Sequence, residues 1–400
     1  MRNSSHHRRH CMVVHNYYPL GEPRVEREAQ ALVNHGYEVD VICLQREGEP
    51  VVDTKAGVRV YRLPVKRHRG RGLAVQLLEY LAFFVIAFGK LAILHIQRHY
   101  GVVQVHNLPD FLIFAALVPK LTGARLILDI HDLMPEFYAS RFKSGLTSGQ
   151  VRLVCWQERL SCRFADHVIT VSDHWRQTLI KRGVPAHKCS VVMNVADDRI
   201  FRMESDQNGH TIRNSQFHLI YHGTVVQRYG LDVAVRAIDR VRRDIPEIHL
   251  TILGKGDYID TLIQMTQELA LHDHVTICNE IRPVEELPDI IRAADVGIVP
   301  YRNDTFTDAL LPTKLMEYAA LGLPAIAART TAIEAYFRDT MTEFFEPGDS
   351  NDLAARIHEL YQCPERMAEL TRSSKKFNER YNWAKIGAEY VALVDRLRGR

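Results

Sequence analysis

The residue types that could bind a phosphate and a ribose stand at the start of one predicted helix. Pro312 suits the first helical position, and Gly322 is expected to end the helix. The amino end, at Thr313, offers free backbone N–H groups and a positive dipole, and Lys314 adds a point charge there. Glu317 follows about one turn later and can accept two hydroxyl hydrogen bonds, as a ribose requires. We predict a phosphate and ribose site here; the alternative is a Lys and a Glu in solvent on a capped helix.

Two further stretches have glycines directly after a predicted strand. In the first, Gly223 lets a ligand approach the backbone, and Arg228 can place its guanidinium fork on a diphosphate. In the second, Gly254 and Gly256 follow the strand 249–253 without completing a G-x-G-x-x-G motif. Each stretch alone is weak evidence, but together they favour a nucleotide site.

The elements that must position these residues alternate along the chain as strand and helix. Near-continuous apolar strands separated by amphipathic helices are typical of a parallel sheet covered on both faces. We predict an α/β protein with two doubly wound, Rossmann-like domains facing a central cleft. The predicted strands span 12–15, 39–44, 58–63, 102–106, 125–130, 167–171, 190–193, 218–221, 249–253, 275–278, 296–299 and 325–327.

Domain boundaries are predicted where this pattern stops. Residues 197–215 are polar without sustained periodicity, so they are the best linker. The predicted domains are 1–200 and 215–380. The final segment, 381–400, is expected to be a helix that crosses back to the first domain.

Composition and charge exclude some classes of protein and ligand. The 400 residues include 46% hydrophobic and 25% charged ones, as in soluble globular proteins. A net charge of +3 is too small to indicate a nucleic-acid partner. Seven cysteines show neither a disulfide framework nor a metal spacing, and His95 and His99 lack a third ligand. We therefore expect a cytoplasmic protein with reduced thiols, no signal sequence and no metal.

The order of motifs resembles the retaining family 4 glycosyltransferases (glycosyl transferases group 1), which have the GT-B fold. In the second half, I-L-G-K-G-D at 252–257, A-A-D-V-G-I-V-P at 293–300 and K-x-x-E-Y at 314–318 follow the glycine turn. In the first half, N-Y-Y-P at 16–19, H-N-L-P-D at 106–110 and D-I-H-D at 129–132 also fit. The resemblance covers nearly the whole chain. It implies that 1–200 is the acceptor-side domain and 215–380 the nucleotide-sugar-binding domain.

In the second half, the resemblance implies the following roles. Arg228 would contact the donor diphosphate, and Glu317 matches the second glutamate of the family's E-x7-E motif, which holds the ribose. The glycines 254 and 256 would border the nucleotide. The backbone near Ile281 and Arg282 would meet the base.

In the first half, the resemblance places His131 close to the donor sugar and the reacting centre. Gly21 would lie in a loop that faces the donor phosphates and the acceptor. The alternative for His131 is a hydrogen-bonded pair with Asp132 at the end of a strand. The loop around Gly21 lacks the family's common double glycine and carries Arg24, as in a variant branch of the family.

One motif residue departs from the family pattern. The first glutamate of E-x7-E is replaced by Ala309, and the nearest acid is Asp308. This departure puts in doubt how the donor sugar's hydroxyls are held, and leaves open whether Asp308 substitutes for the missing carboxylate.

The resemblance implies a retaining, hexosyltransferase-type glycosyltransferase. It would move a sugar from a nucleotide-diphosphate donor, UDP-linked as the first guess, to a glycan or lipid-linked acceptor in cell-surface polysaccharide or glycolipid biosynthesis. Arg228, Lys314 and the helix start at Thr313 would stabilise the leaving phosphate. The sequence has no D-x-D triplet, so no metal cofactor is expected. The alternatives are a GT-B-fold sugar-nucleotide 2-epimerase or phosphorylase, and a non-catalytic nucleotide-sugar-binding homologue.

A basic run precedes a strongly apolar helix in the first half. The run spans 65–71 and the helix 73–96, close to the roughly 20 residues of a membrane span. Glu79, Lys90 and His95 interrupt the helix, so a span is not expected. Two interpretations stay open: a core helix with a solvated basic loop, or a peripheral contact of 65–96 with the inner face of the cell membrane.

Overall fold

The computed structural model describes residues 8–67, 72–142, 148–203 and 216–399. It divides into two compact units: residues 1–194 with 385–400, and residues 195–384. Residues 68–71 of the basic run and most of the predicted linker lie outside the described residues.

The first unit is built on an eight-stranded sheet within the described residues. Its order is β3-β4-β2-β1-β5-β6-β7-β8, and every pairing is parallel except β3 with β4. Strands β2 to β4 lie on one side of β1 and strands β5 to β8 on the other, so the strand order reverses between β1 and β5. Ligands are expected at the carboxyl ends of the strands at such a switch point. The strands are β1 (Arg9–Tyr17), β2 (Glu38–Leu44), β3 (Val52–Lys55), β4 (Val58–Leu63), β5 (Val102–His106), β6 (Arg125–Ile130), β7 (His167–Thr170) and β8 (Cys189–Val191).

Helices connect these parallel strands, as a parallel crossover requires. A 3-10 segment, Asp110–Ala116, follows β5 and leads into a short α-helix. The helices are α1 (Pro23–Asn34), α2 (Gly72–Arg98), α3 (Leu117–Leu121), α4 (Met134–Phe142), α5 (Gly149–Phe164) and α6 (Asp173–Lys181).

The second unit has a six-stranded, fully parallel sheet within the described residues. The order is β11-β10-β9-β12-β13-β14, which places the switch point between β9 and β12. The strands are β9 (Phe217–His222), β10 (Ile248–Leu253), β11 (Val275–Cys278), β12 (Val296–Val299), β13 (Ala325–Ala328) and β14 (Glu343–Phe345). The helices are α7 (Leu231–Val241), α8 (Ile259–Glu268), α9 (Leu287–Arg292), α10 (Thr313–Leu321), α11 (Thr331–Tyr336), α12 (Ser350–Gln362) and α13 (Pro364–Arg380).

The last helix, α14 (Trp383–Arg398), belongs almost entirely to the first unit. The Tyr390 hydroxyl donates to the side-chain oxygen of Gln104 on β5 at 2.6 Å, and the Tyr37 hydroxyl donates to Asp395 at 2.5 Å. Tyr390 is buried. Helix α14 is therefore held by both apolar burial and hydrogen bonds to buried polar groups.

The structure confirms the predicted α/β class with two Rossmann-like parallel sheets. The sequence prediction missed the short strands β3 and β14, which lie at sheet edges and carry little periodic signal. The apolar pattern also predicts a helix over 111–122. That prediction was wrong for the first half of the stretch, which is a 3-10 segment. Leu112 and Ile113 are buried there, so tertiary packing decides the local backbone rather than helix propensity.

Candidate functional site

Helix α10 places the predicted phosphate and ribose residues beside the switch point of the second unit. It begins at Thr313, one residue later than predicted, with Pro312 as its N-cap. It ends at Leu321, and Gly322 takes a left-handed conformation with a φ of 73°. Thr313 is half-buried, and the first N–H groups of a helix have no intrahelical partners.

Lys314 lies in a cage of three tyrosine rings. Its side-chain ammonium donates to the hydroxyl of Tyr301 at 2.8 Å and lies 4.9, 5.2 and 5.0 Å from the ring centres of Tyr221, Tyr229 and Tyr301. Lys314 is only 7% exposed, so the interpretation of a solvated lysine is wrong. Burial lowers the pKa of Lys314 to about 8, although the charge of Glu317 opposes this shift.

Glu317 is held by a histidine at the end of β9. Its Oε2 lies 2.6 Å from Nε2 of His222, whose Nδ1 lies 3.2 Å from the hydroxyl of Tyr318. The Glu317 side chain is 17% exposed, so a ligand can reach it. Because it has a buried partner, the carboxylate is oriented before any ligand binds.

The glycine loops pack against each other at the carboxyl edge of the second sheet. Gly223 has a φ of 116°, and its α-carbon faces Lys314. A Cβ added at Gly223 would lie 3.5 Å from Cε of Lys314. A Cβ at Gly254 would collide with the carbonyl of Gly223, and one at Gly256 would collide with the carbonyl of Val225. The glycines 254 and 256 are therefore required for packing of the two loops, whether or not they also border a nucleotide.

Arg228 lies next to the tyrosine cage. It is half-buried in the 3-10 turn Gln227–Tyr229, and its guanidinium is 5.6 Å from the ring centre of Phe306. The neighbouring Tyr229 stacks on Tyr301 at 4.5 Å. This places Arg228 on the same β9 loop as Gly223 and one residue from a member of the cage.

Ile281 and Arg282 lie on the loop after β11, two strands away from β9 in the sheet. Ile281 is 76% exposed. Arg282 pairs with Glu280 at 2.6 Å and with Glu286 at 3.5 Å. Ile281 and Arg282 thus lie at the carboxyl edge of the second sheet, as the glycine loops do. They are not among the contacts of Lys314.

Asp308 accepts two hydrogen bonds that give it a structural role. Its Oδ1 accepts a hydrogen bond from the backbone N–H of Thr331 at 2.8 Å, and its carbonyl accepts one from Ala332 at 2.9 Å. Asp308 therefore ties its loop to the amino end of α11. Ala309, where the resemblance would place a glutamate, is buried.

In the first unit, His131 follows β6 and lies beside Asp129. Its Nδ1 is 3.7 Å from Oδ2 of Asp129, and its backbone N–H donates to the side chain of Asn107 at 3.1 Å. Burial disfavours the charged imidazole, but the carboxylates of Asp129 and Glu22 outweigh it and raise the pKa of His131 to about 9. His131 is consequently a cation at neutral pH. The ion pair observed is with Asp129, and the charge of Asp132 also favours the imidazolium.

Asp129 is the centre of a buried charge network. Arg24 on α1 donates to both of its carboxylate oxygens, at 2.8 and 3.0 Å, and Nδ1 of His106 lies 2.8 Å from one of them. Arg24 also pairs with Glu28 at 3.2 Å. Burial raises the pKa of Asp129, but the Arg24 guanidinium dominates and holds it well below its usual range.

His106, Asp129 and His131 have the composition of a metal site, with ligand atoms within 4.8 Å of one another. However, both Asp129 oxygens already accept from Arg24, whose positive charge would repel a metal ion. We therefore interpret the cluster as a charge network. The expectation of metal-free chemistry stays a prediction.

Gly21 lies in a tight turn after β1. Its backbone N–H donates to the carbonyl of Tyr17 at 3.0 Å, and a Cβ at this position would lie 2.6 Å from that oxygen. The Asn16 amide donates to the carbonyl of Gly21 at 2.8 Å and to Glu22 at 2.9 Å. The turn is thus fixed by Asn16, and it carries the carboxylate that raises the pKa of His131.

Sequence reasoning missed His222, the tyrosine cage and Asp129. Asp129 left a usable signal, because a single acid inside the apolar strand L-I-L-D-I must find a partner when buried. His222 and the cage tyrosines gave no comparable signal, since strand ends commonly carry such residues.

Two family models together cover most of the chain. The model of the glycosyl transferase 4-like domain matches residues 21–194, and the model of glycosyl transferases group 1 matches residues 202–377. The chain belongs to the group 1 glycosyltransferases. This confirms the resemblance to the group 1 glycosyltransferases seen in the sequence motifs, while retention of configuration stays a prediction.

A curated relative of this group 1 glycosyltransferase is the GDP-mannose-dependent alpha-(1-6)-phosphatidylinositol monomannoside mannosyltransferase of Mycolicibacterium smegmatis. The two are 30% identical over 174 residues, which are 42% of this chain and 45% of the relative. The aligned part thus spans about half the length of that relative.

Two solved structures share the fold. Sucrose-phosphate synthase from Thermosynechococcus elongatus has a TM-score of 0.77 at 19% identity, covering 97% of this chain and 98% of that one. HepE of Anabaena, solved in complex with UDP-glucose, has a TM-score of 0.72 at 15% identity, covering 97% and 99%. At these identities, the likeness shows the GT-B fold alone.

Proposed function

We propose that this chain transfers a sugar, with retention of anomeric configuration, from a nucleoside-diphosphate donor to a glycan or lipid-linked acceptor. The setting would be the biosynthesis of cell-surface polysaccharide or glycolipid. The observation that carries the proposal is the caged Lys314 at the amino end of α10, one turn before the oriented carboxylate of Glu317.

The donor would bind in the second unit. A diphosphate suits Lys314 and the N–H groups at Thr313, because both attract anions. Glu317, about one helical turn after Lys314, would accept hydrogen bonds from the ribose hydroxyls. We propose a UDP-linked sugar as the first candidate, supported by the fold that the chain shares with HepE; the GDP-mannose-dependent relative makes a GDP-linked sugar the second.

Catalysis would consist mainly of stabilising the leaving diphosphate. When the sugar–phosphate bond breaks, negative charge develops on the phosphate oxygens, and preorganised positive groups stabilise it. Lys314 and Arg228 would supply that charge. The leaving phosphate would accept the proton of the acceptor hydroxyl, and no metal cofactor is proposed.

The role proposed for His131 follows from its charge. With a pKa raised to about 9 by the carboxylates that face it, His131 is protonated at neutral pH and cannot accept a proton there. We propose that it orients the donor sugar and stabilises charge. This role differs from that of a general base.

The proposed acceptor side includes a peripheral membrane contact through 65–96. Among the described residues, α2 is long and apolar enough to cross a membrane, yet only 28% of its most apolar window is buried. One face of α2 packs into the core of the first unit through Phe83, Ala87, Leu91 and Leu94. The other face exposes Leu77, Leu78, Leu81, Val85, Ile86, Ile93 and Ile96.

An apolar helix with one buried and one exposed apolar face suits contact along a bilayer surface better than a span. Lys66 and Arg67 precede α2 and would meet anionic head groups. We therefore propose a cytoplasmic protein at the inner face of the cell membrane. Flotation with anionic vesicles should be lost when Leu78 and Val85 are both replaced by Ser; unchanged flotation would contradict this contact.

The proposed activity is tested by turnover with a panel of UDP- and GDP-sugars and candidate acceptors. We expect release of one nucleoside diphosphate and a product whose anomeric proton shows retention by NMR. Lys314→Met should abolish turnover while the protein stays folded. Donor binding without turnover for any acceptor would favour the non-catalytic homologue, and an inverted product would contradict retention.

A further inference from the structure

A cavity of about 710 Å³ opens between Tyr17 at the end of β1 and the loops that follow β2 and β4 in the first unit. These strands are neighbours in the sheet, and the loops leave their carboxyl ends, where open α/β sheets bind ligands. The volume lies within the usual range of small-molecule sites. No residue of the cavity belongs to the proposed nucleotide site in the second unit.

The cavity is positively charged. Arg46 follows β2, and Lys66 and Arg67 follow β4, whereas Glu47 is the one acid among the lining residues. Cations gathered in one concave site repel each other, and an anion that binds between them relieves this repulsion. The nearby Glu49 does not neutralise the cavity, because it pairs with the buried Arg62 at 3.1 Å.

Both guanidinium groups are held in place by neighbouring groups. Arg46 lies over the ring of Tyr17, 4.8 Å from its centre. Arg67 donates to the side-chain oxygen of Asn16 at 2.6 Å. Each guanidinium has five N–H donors in a fixed fork, so a group held by one contact can still bind an oxyanion.

The cavity is connected to the turn that carries Gly21. Asn16, which accepts from Arg67, also donates to the carbonyl of Gly21 at 2.8 Å and to Glu22 at 2.9 Å. Glu22 is one of the carboxylates that raise the pKa of His131. A ligand on Arg67 would therefore contact the framework that positions the proposed reacting centre.

We infer that this cavity binds the phosphate group of a phosphate-bearing acceptor. Two guanidinium groups and one ammonium suit a phosphate monoester or a diphosphate, which carry more charge and more oxygens than a single carboxylate. Lipid-linked diphosphates and soluble sugar phosphates share this chemistry. The identification of the ligand as the acceptor rests on the proposed function. The binding of phosphate in the cavity does not rest on it.

The test is calorimetric titration of inorganic pyrophosphate into the full chain carrying Lys314→Met and Arg228→Ala, which remove both cations of the phosphate site proposed in the second unit. We expect one site, weakened roughly 10- to 100-fold by Arg46→Gln and again by Arg67→Gln, because each removes a charge-assisted hydrogen bond. Glu47→Gln is the matched control on the same cavity and should tighten binding. A pyrophosphate affinity that stays at the parent value in both arginine variants would overturn the inference.

Two further titrations identify the source of the phosphate. Glucose 1-phosphate represents a soluble acceptor, and phosphatidylcholine vesicles with phosphatidic acid represent a lipid one. Binding of glucose 1-phosphate or of the vesicles that depends on Arg46 and Arg67 supports the site and identifies the source of the phosphate. If neither of them binds and pyrophosphate does not bind either, the inference is overturned. If pyrophosphate binds but no nucleotide sugar binds the wild-type chain, the proposed function fails while the phosphate site stands.

Discussion

Nε2 of His222, at the end of β9, lies 2.6 Å from the carboxylate of Glu317 on α10, beside the switch point between β9 and β12. The histidine is the last residue of its strand, and its other nitrogen lies 3.2 Å from the hydroxyl of Tyr318. Glu317 is thus oriented by the protein and not only by a ligand. If it holds the donor ribose, removing its partner should weaken donor binding.

The first prediction concerns this pair. His222→Ala should raise the donor KM about 5- to 30-fold and leave kcat nearly unchanged, because a ribose contact is equal in the ground and transition states. His222→Gln, which keeps a hydrogen-bond donor, should recover part of the loss. Steady-state kinetics separate the two parameters. A fall in kcat at constant KM would contradict this role.

The second prediction concerns the proton on Lys314. Its pKa of about 8 reflects burial, and a bound diphosphate should raise it. Nucleotide binding at pH 8 should therefore take up about half a proton, measured by calorimetry in buffers of different ionisation enthalpy. Binding enthalpies that do not depend on the buffer would speak against contact between Lys314 and the phosphates.

The unliganded protein provides a control for this prediction. Because the folded-state pKa of Lys314 is depressed, the unfolded chain binds more protons between pH 8 and the ordinary lysine pKa of about 10.5. The free energy of unfolding should rise across this window relative to Lys314→Met. Parallel curves for the two proteins would show that the lysine is not buried as described.

The third prediction concerns the charge on His131. Activity that needs the imidazolium should fall as pH rises through about 9. Glu22→Gln removes one of the facing carboxylates but keeps an oxygen for Asn16, so it should lower the pKa of His131 and move this alkaline limb to lower pH. NMR titration of the imidazole and the pH profile of kcat both report the shift.

A matched control for Glu22→Gln is available on α1. Burial and then the charge of Glu26 raise the pKa of Tyr18, whereas the carboxylates that raise the pKa of His131 most are Asp129, Glu22 and Asp132. Glu26→Gln should leave the alkaline limb in place. A limb that moves equally in both variants would mean that net charge, rather than contact with His131, sets the profile.

The fourth prediction concerns Asp308. Since its carboxylate caps the backbone of Thr331, Asp308→Ala should cost about 0.5–2 kcal/mol of stability without changing the donor KM. Asp308→Asn keeps the accepting oxygen and should restore most of the stability. Chemical denaturation and kinetics check the two effects. A raised KM in both variants would instead indicate that Asp308 replaces the missing glutamate.

Helix α10 and most strands could be predicted because their signals are local. Pro312 and Gly322 bracket α10, and apolar runs mark the buried parallel strands. The side-chain partners could not be predicted in the same way. His222 and Glu317 are 95 residues apart, and Arg24 and Asp129 are 105 apart, so these pairs exist only once the sheets have formed.

Burial is the second reason that part of the site escaped prediction. Nothing in the sequence around Lys314 distinguishes a solvated lysine from one enclosed by Tyr221, Tyr229 and Tyr301. Tyr221 lies in β9, Tyr229 in the turn after β9, and Tyr301 just after β12. The glycines 254 and 256 show the reverse case. Their motif predicts a nucleotide contact, whereas the structure gives them a packing role that needs no ligand.

The measurement that tests the central claim most directly is the thermal midpoint of the purified chain with UDP- and GDP-sugars. A ligand that binds only the folded state stabilises it by RT ln(1 + [L]/Kd), or about 2.7 kcal/mol at 100 times Kd. We predict a selective rise with one nucleotide sugar, lost in Glu317→Ala. No rise with any nucleotide sugar, or an equal rise in Glu317→Ala, would contradict a donor site on α10.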